Sequence, residues 1–272
     1  MTILYAVLVL LAIVGFGVAA VVYTRWRGRR GDLVRFPELA AERPNDLNFG
    51  FAIILGFVLV AALQNYQGAQ QAAVTEGRAL TTMSRSALGI PAQLRDDLSH
   101  QLVCYGRDVI EYDWATNDSG SAGLTAGGSP FADASADRIS QTLARISTTD
   151  GVKDAVMGSL IDGETALREA RAQRLDMGTH LPVLFWVMVV VGAMLVIALS
   201  AVLMAKEFAW LQTFVVCGSA IIIAFTVILI GSLDRPYSGE WPLPVVEPTA
   251  MTRAVASISK FALDPRVDGS CP

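Results

Sequence analysis

Four runs of this chain are apolar over the distance a membrane demands, and that feature decides most of what the chain can become. A helix crossing the hydrocarbon core needs about twenty mostly apolar residues. Inside lipid every backbone N–H and C=O must be paired within the structure, which leaves helices and closed barrels. Ile3 to Tyr23 contains no charge; with no cationic stretch before it and no small-residue cleavage site after it, it reads as a retained anchor. Phe49 to Leu63 follows, ending in Gln64 and Asn65. Two further runs, about Leu181 to Met204 and Phe208 to Leu233, are separated only by a turn holding Lys206 and Glu207, so they form a tight helical hairpin. A content of 53% hydrophobic and 17% charged residues agrees with lipid as part of the solvent.

The predicted fold is an all-α membrane protein with four transmembrane helices and a helical extramembrane bundle between spans 2 and 3. Its segments are span 1 (1–24), a short Arg-rich loop (25–48), span 2 (49–65), the extramembrane region (66–180), span 3 (181–205), span 4 (208–233) and a tail (234–272). Arg25, Arg27, Arg29, Arg30, Arg35 and Arg43 all lie between the first two spans. Cationic flanks stay cytoplasmic, so both termini and the 66–180 region are expected outside the cytoplasm, with the spans in the plasma membrane. That region carries ten Lys and Arg against fifteen Asp and Glu, and long segments translocate largely regardless of charge.

Within it, span 2 is expected to continue outward as one helix, because 65–88 is rich in Ala and Gln and Pro is absent until Pro91. Leu94, Leu98, Leu102, Tyr105, Val109 and Tyr112 then recur at helical steps. A Gly/Ser-rich loop is expected over 117–135, followed by a short helix over Asp137 to Ser147 and a longer one from near Gly151. In the last, Val152, Val156, Leu160, Gly163, Leu167 and Ala170 repeat the same stripe. Two matching stripes predict an antiparallel bundle. Met251, Val255, Ile258 and Phe261 predict one more short amphipathic helix in the tail, lying on the bundle or on the membrane surface.

Catalytic and metal chemistry lack the residues they need. His100 and His180 are the only histidines, and none of the motifs G-x-S-x-G, H-E-x-x-H or the Walker loop occurs. Glu111, Asp113 and Asp118 read as a solvated helix end. No metal site and no cofactor is expected, and a net charge of -4 offers no nucleic-acid surface. Cys104, Cys217 and Cys271 lack metal-ligand spacing. Cys104 and Cys271 both fall outside the cytoplasm in the expected topology, where a disulfide between them can persist; two unrelated thiols is the alternative.

Ion permeation asks for a polar or small-residue path and a constriction. The spans hold almost no ionisable residue, unlike those of proton-coupled transporters. Phe49, Phe51 and Phe57 in "FGFAIILGF", with Gln64 and Asn65, are the candidates to line a passage if copies assemble; packing against lipid or neighbouring helices is the alternative. After span 4, Asp234, Arg235, Pro236, Tyr237, Ser238 and Gly239 terminate the helix. The same six are expected to dock the chain's end onto the bundle near Arg78 or Glu111.

The order of "NDLNFGFAIILGFVLVAALQNY", the Glu76-bearing helix, "IPAQLRDDLSHQLVCYGRDVIEYDW", "REARAQRLDMGTHLPVLFWVMVVVGAMLVIALSAVL" and "LDRPYSG" resembles the bestrophin-like family of bacterial membrane proteins. The likeness covers most of Asn45 to Pro244. Its most specific pieces are the Tyr105, Glu111 and Trp114 spacing and the Asp-Arg-Pro-Tyr-Ser-Gly run. The family name implies a distant similarity to bestrophins, homopentameric anion channels with four spans and a helical extramembrane region. The resemblance therefore implies self-association, a small anion as permeant and a channel or homeostatic valve. Two features depart from bestrophins: Asp234 and Glu240 alone replace an acidic calcium-binding cluster, and the arginines argue for the opposite orientation. A different class of function, a non-conducting subunit displaying its helical domain to an envelope partner, is the competing expectation.

Overall fold

The computed structural model describes residues 2–29, 44–114, 128–148, 152–176, 183–204, 208–234, 237, 246–261 and 271. Among them every regular element is helical: α1 (Thr2–Arg29), α2 (Pro44–Ser86), α3 (Ala92–Asp108), α4 (Pro130–Ser147), α5 (Asp154–Asp176), α6 (Val183–Leu203), α7 (Ala209–Leu233) and α8 (Thr249–Phe261). The stretches Val7–Arg29, Asn48–Gly89, Leu184–Leu203 and Ala209–Leu233 are long and apolar enough to cross a membrane. The chain is an all-α membrane protein with four such helices, divided into two compact units.

The first unit holds α1, α2 as far as Asn65, α6 and α7. Helices in lipid gain no hydrophobic drive from meeting each other, so small residues that permit close approach are favoured at their contacts. Ala193, Ala201, Ala220 and Ala224 accordingly fill the interior with Val189, Ile197, Val216 and Ile230. At the arginine-bearing end, Gln212 of α7 is fully buried. Its amide nitrogen donates to Thr24 Oγ1 at 3.1 Å and to the Ala201 carbonyl at 2.8 Å, and its oxygen accepts from Arg25 Nε at 2.7 Å. One side chain thus ties three spans together. Such a bond is worth about 1 kcal/mol in a membrane protein.

The second unit holds the rest of α2 with α3, α4, α5, Tyr237 and α8. Its core runs through Leu80, Met83, Leu98, Leu102, Tyr105, Ile139, Ile146, Leu160 and Leu167, of which Leu98, Leu102, Tyr105, Leu160 and Leu167 belong to the stripes read from the sequence. The continuation of span 2 as one helix holds, through Ser86. Three details differ. The helix expected from Asp137 begins at Pro130, N-capped by the Ser129 hydroxyl, so the flexible loop does not reach Ser135. The helix expected near Gly151 starts at Asp154. Residues 109–113 form a π-helical turn; its wider turn leaves Tyr112 half-buried and brings Asp113 inward. As one of the two expectations for the tail has it, α8 lies on the bundle, docking by Met251, Ala254 and Ile258 onto α3 and α2. Gly77 and Gly106 make that docking possible: a Cβ on Gly77 would stand 2.9 Å from the Ala250 backbone, and one on Gly106 would collide with Val255 Cγ2.

Candidate functional site

The part of α2 in the first unit has two faces of opposite fate. Phe51, Leu55, Val58 and Ala62, spaced by four, three and four, are buried. Gly192 of α6 receives Phe51, with no room for a Cβ beside the ring. On the opposite side Phe49, Ile53, Phe57 and Val60 stand open at 69%, 43%, 72% and 51% exposure, followed by exposed Gln64. Phe49, Phe57 and Gln64 therefore share one face, Asn65 sits half-buried on its flank, and Phe51 does not belong with them. Expecting Phe51 to line a passage is corrected here: it is two residues from Phe49, which on a helix is almost the opposite side.

Ser219 and Thr226 close their hydroxyls on the carbonyls of Val215 and Ile222 in their own helix. A cavity of about 240 Å³ between α1, α6 and α7 is lined by groups such as Phe16, Met194 and Val227 and carries no ionisable side chain. Trp186 contributes an indole N–H to its lining, but no charged group faces an ion there.

The second unit contains what the sequence reading missed, a buried ionic cluster. Glu76 of α2, Asp113 of the π turn and Arg174 of α5 are all fully buried. Arg174 Nε donates to Glu76 Oε2 at 2.6 Å, and its Nη2 donates to Asp113 Oδ2 at 2.8 Å. Its Nη1 has no partner among the described residues, but the guanidinium lies 4.6 Å from the Trp114 ring centroid, a cation–π contact. Arg171 Nε donates to the same Asp113 oxygen at 3.1 Å and also pairs with Asp133. The other Asp113 oxygen accepts the Ser129 backbone N–H at 2.6 Å. A phenol completes the shell: Tyr105 donates to Glu76 Oε1 at 2.6 Å.

Burial first, and the Glu76 carboxylate second, push the Tyr105 phenol well above its ordinary range, so it remains a donor. Burial disfavours the charge on Arg174, but the carboxylates of Glu76 and Asp113 outweigh that and hold it protonated. Glu111 is exposed, as a frayed end should be, whereas Asp113 is not; reading Asp113 as solvated is corrected, and Asp118 lies outside the described residues. The signal was present in the steps. Leu160, Gly163, Leu167 and Ala170 continue by four to Arg174, and Glu76 lies between Ala73 and Leu80 on the buried face of α2. Charges at core positions of two facing stripes are partners.

This cluster also receives the terminal motif. Tyr237 is buried, its ring edge-on to Trp114 at 5.8 Å between centroids, and its hydroxyl donates to the Ala69 carbonyl at 3.2 Å. Trp114 Nε1 donates to the Val246 carbonyl at 3.0 Å. Among the described residues the chain's end is thus held by Ala69 and Trp114, while Arg78 and Glu111 are exposed. Asp234, buried, ends α7 in the first unit; Arg235, Pro236, Ser238 and Gly239 lie outside the described residues. Cys104 and Cys271 are joined in a disulfide, Cα to Cα 5.4 Å, and Cys217 is free.

Among curated proteins the chain has no match. Solved structures do match. A bacterial bestrophin homologue from Klebsiella pneumoniae aligns with a TM-score of 0.72 and 13% identity over 98% of this chain and 99% of its own. A tyrosine-to-alanine variant of a Klebsiella pneumoniae bestrophin homologue gives 0.74 and 13% over 96% of this chain and 100% of its own. A membrane protein with a serine-to-alanine substitution gives 0.69 and 16% over 98% and 99%. At these identities the likeness establishes the fold, and the family rests on a different finding: the family model for the bestrophin-like domain matches residues 9–245, so the chain belongs to the bestrophin-like family.

Proposed function

We propose that several copies of this chain surround a common axis lined by the open face of α2 and pass small anions through the membrane. The observation that carries this reading is the row Phe49, Ile53, Phe57 and Val60, four large apolar side chains turned away from the rest of their unit and ending in Gln64. Brought together by symmetry, such a row is a hydrophobic constriction that gates by dewetting. The fold shared with bacterial bestrophin homologues supports it.

Currents through the purified chain in planar bilayers, with chloride exchanged for a large anion, test the reading. Anion-selective conduction is expected, and Phe57→Ala should raise the unit conductance by widening the row. A monodisperse monomer or dimer without current would favour a non-conducting subunit that presents its second unit to an envelope partner.

A further inference from the structure

Beyond Tyr66, α2 keeps an open face, but its chemistry changes. Gln67, Gln71, Arg78 and Arg85 are exposed and recur at steps of four, seven and seven, one side of a helix. The opposite side, with Ala69, Ala72, Ala73, Glu76, Leu80 and Met83, is buried. Neither the Arg78 nor the Arg85 guanidinium makes a hydrogen bond or ion pair among the described residues. From Phe49 to Ser86 the helix contains a single acid, Glu76, and Arg174 neutralises it in the core. The exposed face is therefore positive without compensation, although the region from Tyr66 to His180 carries ten bases against fifteen acids. Two unpaired arginines about 10 Å apart along an acid-free row of amide donors are what an anion in transit would meet.

We propose that Gln67, Gln71, Arg78 and Arg85 line the water-filled approach to the pore and select small monovalent anions there. This rests on the reading of α2 as the pore-lining helix and assigns the choice of ion to a different stretch of it. In an assembly each arginine becomes a ring of like charges that concentrates anions and repels cations. The glutamine amides donate hydrogen bonds to an anion shedding part of its water. The rings act through a screened field, with a reach of about 10 Å at 0.1 M salt and about 3 Å at 1 M.

Reversal potentials and conductances of the purified full chain in planar bilayers, under a potassium chloride gradient, decide it. In Arg78→Glu/Arg85→Glu the reversal potential should move from the chloride side toward the potassium side. In Arg78→Gln/Arg85→Gln the chloride conductance should drop several-fold in dilute salt and recover in concentrated salt, a recovery that misfolding would not give. Wild-type current with both variants unchanged overturns the selectivity assignment and leaves the pore reading standing. No current from the wild type overturns both. As a readout independent of conductance, Gln71→Cys in a Cys217→Ser background should react faster with an anionic than with a cationic thiosulfonate, and the preference should vanish when both arginines are glutamine. Equal rates with the arginines in place count against the proposal.

Discussion

Arg174 shows how a charge can occupy the centre of a core. Taking an ion out of water costs several kcal/mol even in a real protein interior, and here that cost is offset by two carboxylates, a phenol on one of them and an aromatic face. Removing one partner exposes the debt. Arg174→Met should destabilise the chain by about 3–5 kcal/mol because Glu76 and Asp113 are left buried without their main counter-charge. Combining it with Glu76→Gln should cost less than the sum of the two, since the residues share one network; thermal unfolding in detergent measures both. The phenol adds a pH dependence. Burial and Glu76 raise Tyr105, and burial raises Tyr237, above the ordinary value of about 10. The folded chain keeps these protons where the unfolded chain has lost them. Their contribution to stability is complete below about pH 10 and is lost as pH rises toward the folded values. Melting temperature should therefore fall in alkali, and Tyr105→Phe should start from a lower plateau, by about 1.5–3 kcal/mol, and fall less steeply. The positions of Arg174 and Glu76 were legible as steps of apolar stripes. Their meaning was not, because a charge on a stripe reads as an edge until the facing stripe is known.

At the level of elements, α8 and the disulfide act on the same joint. The helix buries Met251, Ala254 and Ile258 against α2 and α3, and Cys271 beyond it is bonded to Cys104 of α3. The link spans 167 residues, and closing a loop of that order restricts the unfolded chain, a stabilisation of about 2–5 kcal/mol. Cys104→Ser should lower stability by that order and make α8 the first segment released in limited proteolysis. Gly77→Ala should do the same with the disulfide intact, at a cost of about 1–3 kcal/mol, because its methyl meets the Ala250 backbone and not a side chain that can turn away. The tail helix was readable from its steps of four, three and three, and so was the continuity of α2, which has no breaker before Pro91. The start of α4 was missed for a physical reason: Ala, Ser and Asp in its first turns carry little apolar signal, and the Ser129–Pro130 cap was the only mark. The π turn had no mark at all. It moved the buried position from Tyr112 to Asp113, which a fixed helical step does not foresee.

For the molecule as a whole, two independent chemistries bear on the side of the membrane that the second unit occupies. Six arginines lie between the first two spans and argue that this connection stays inside the cell. With four spans, the orientation we propose puts the region between α2 and α6 outside. The disulfide in the second unit argues likewise, because glutathione and thioredoxin keep cytosolic thiols reduced whereas the extracytoplasmic space lets a bond between Cys104 and Cys271 persist. Neither consideration uses the other. An exposed reporter separates them from coincidence: Leu88, in the turn after α2, is 66% exposed, and Leu88→Cys in a Cys217→Ser background adds one reactive thiol while the disulfide hides the other two. A membrane-impermeant maleimide should label that variant in intact cells from which any outer membrane has been removed. Labelling only after lysis would place the second unit in the cytoplasm, where the arginine-rich connection would then have been exported and the disulfide would have no oxidising compartment to form in.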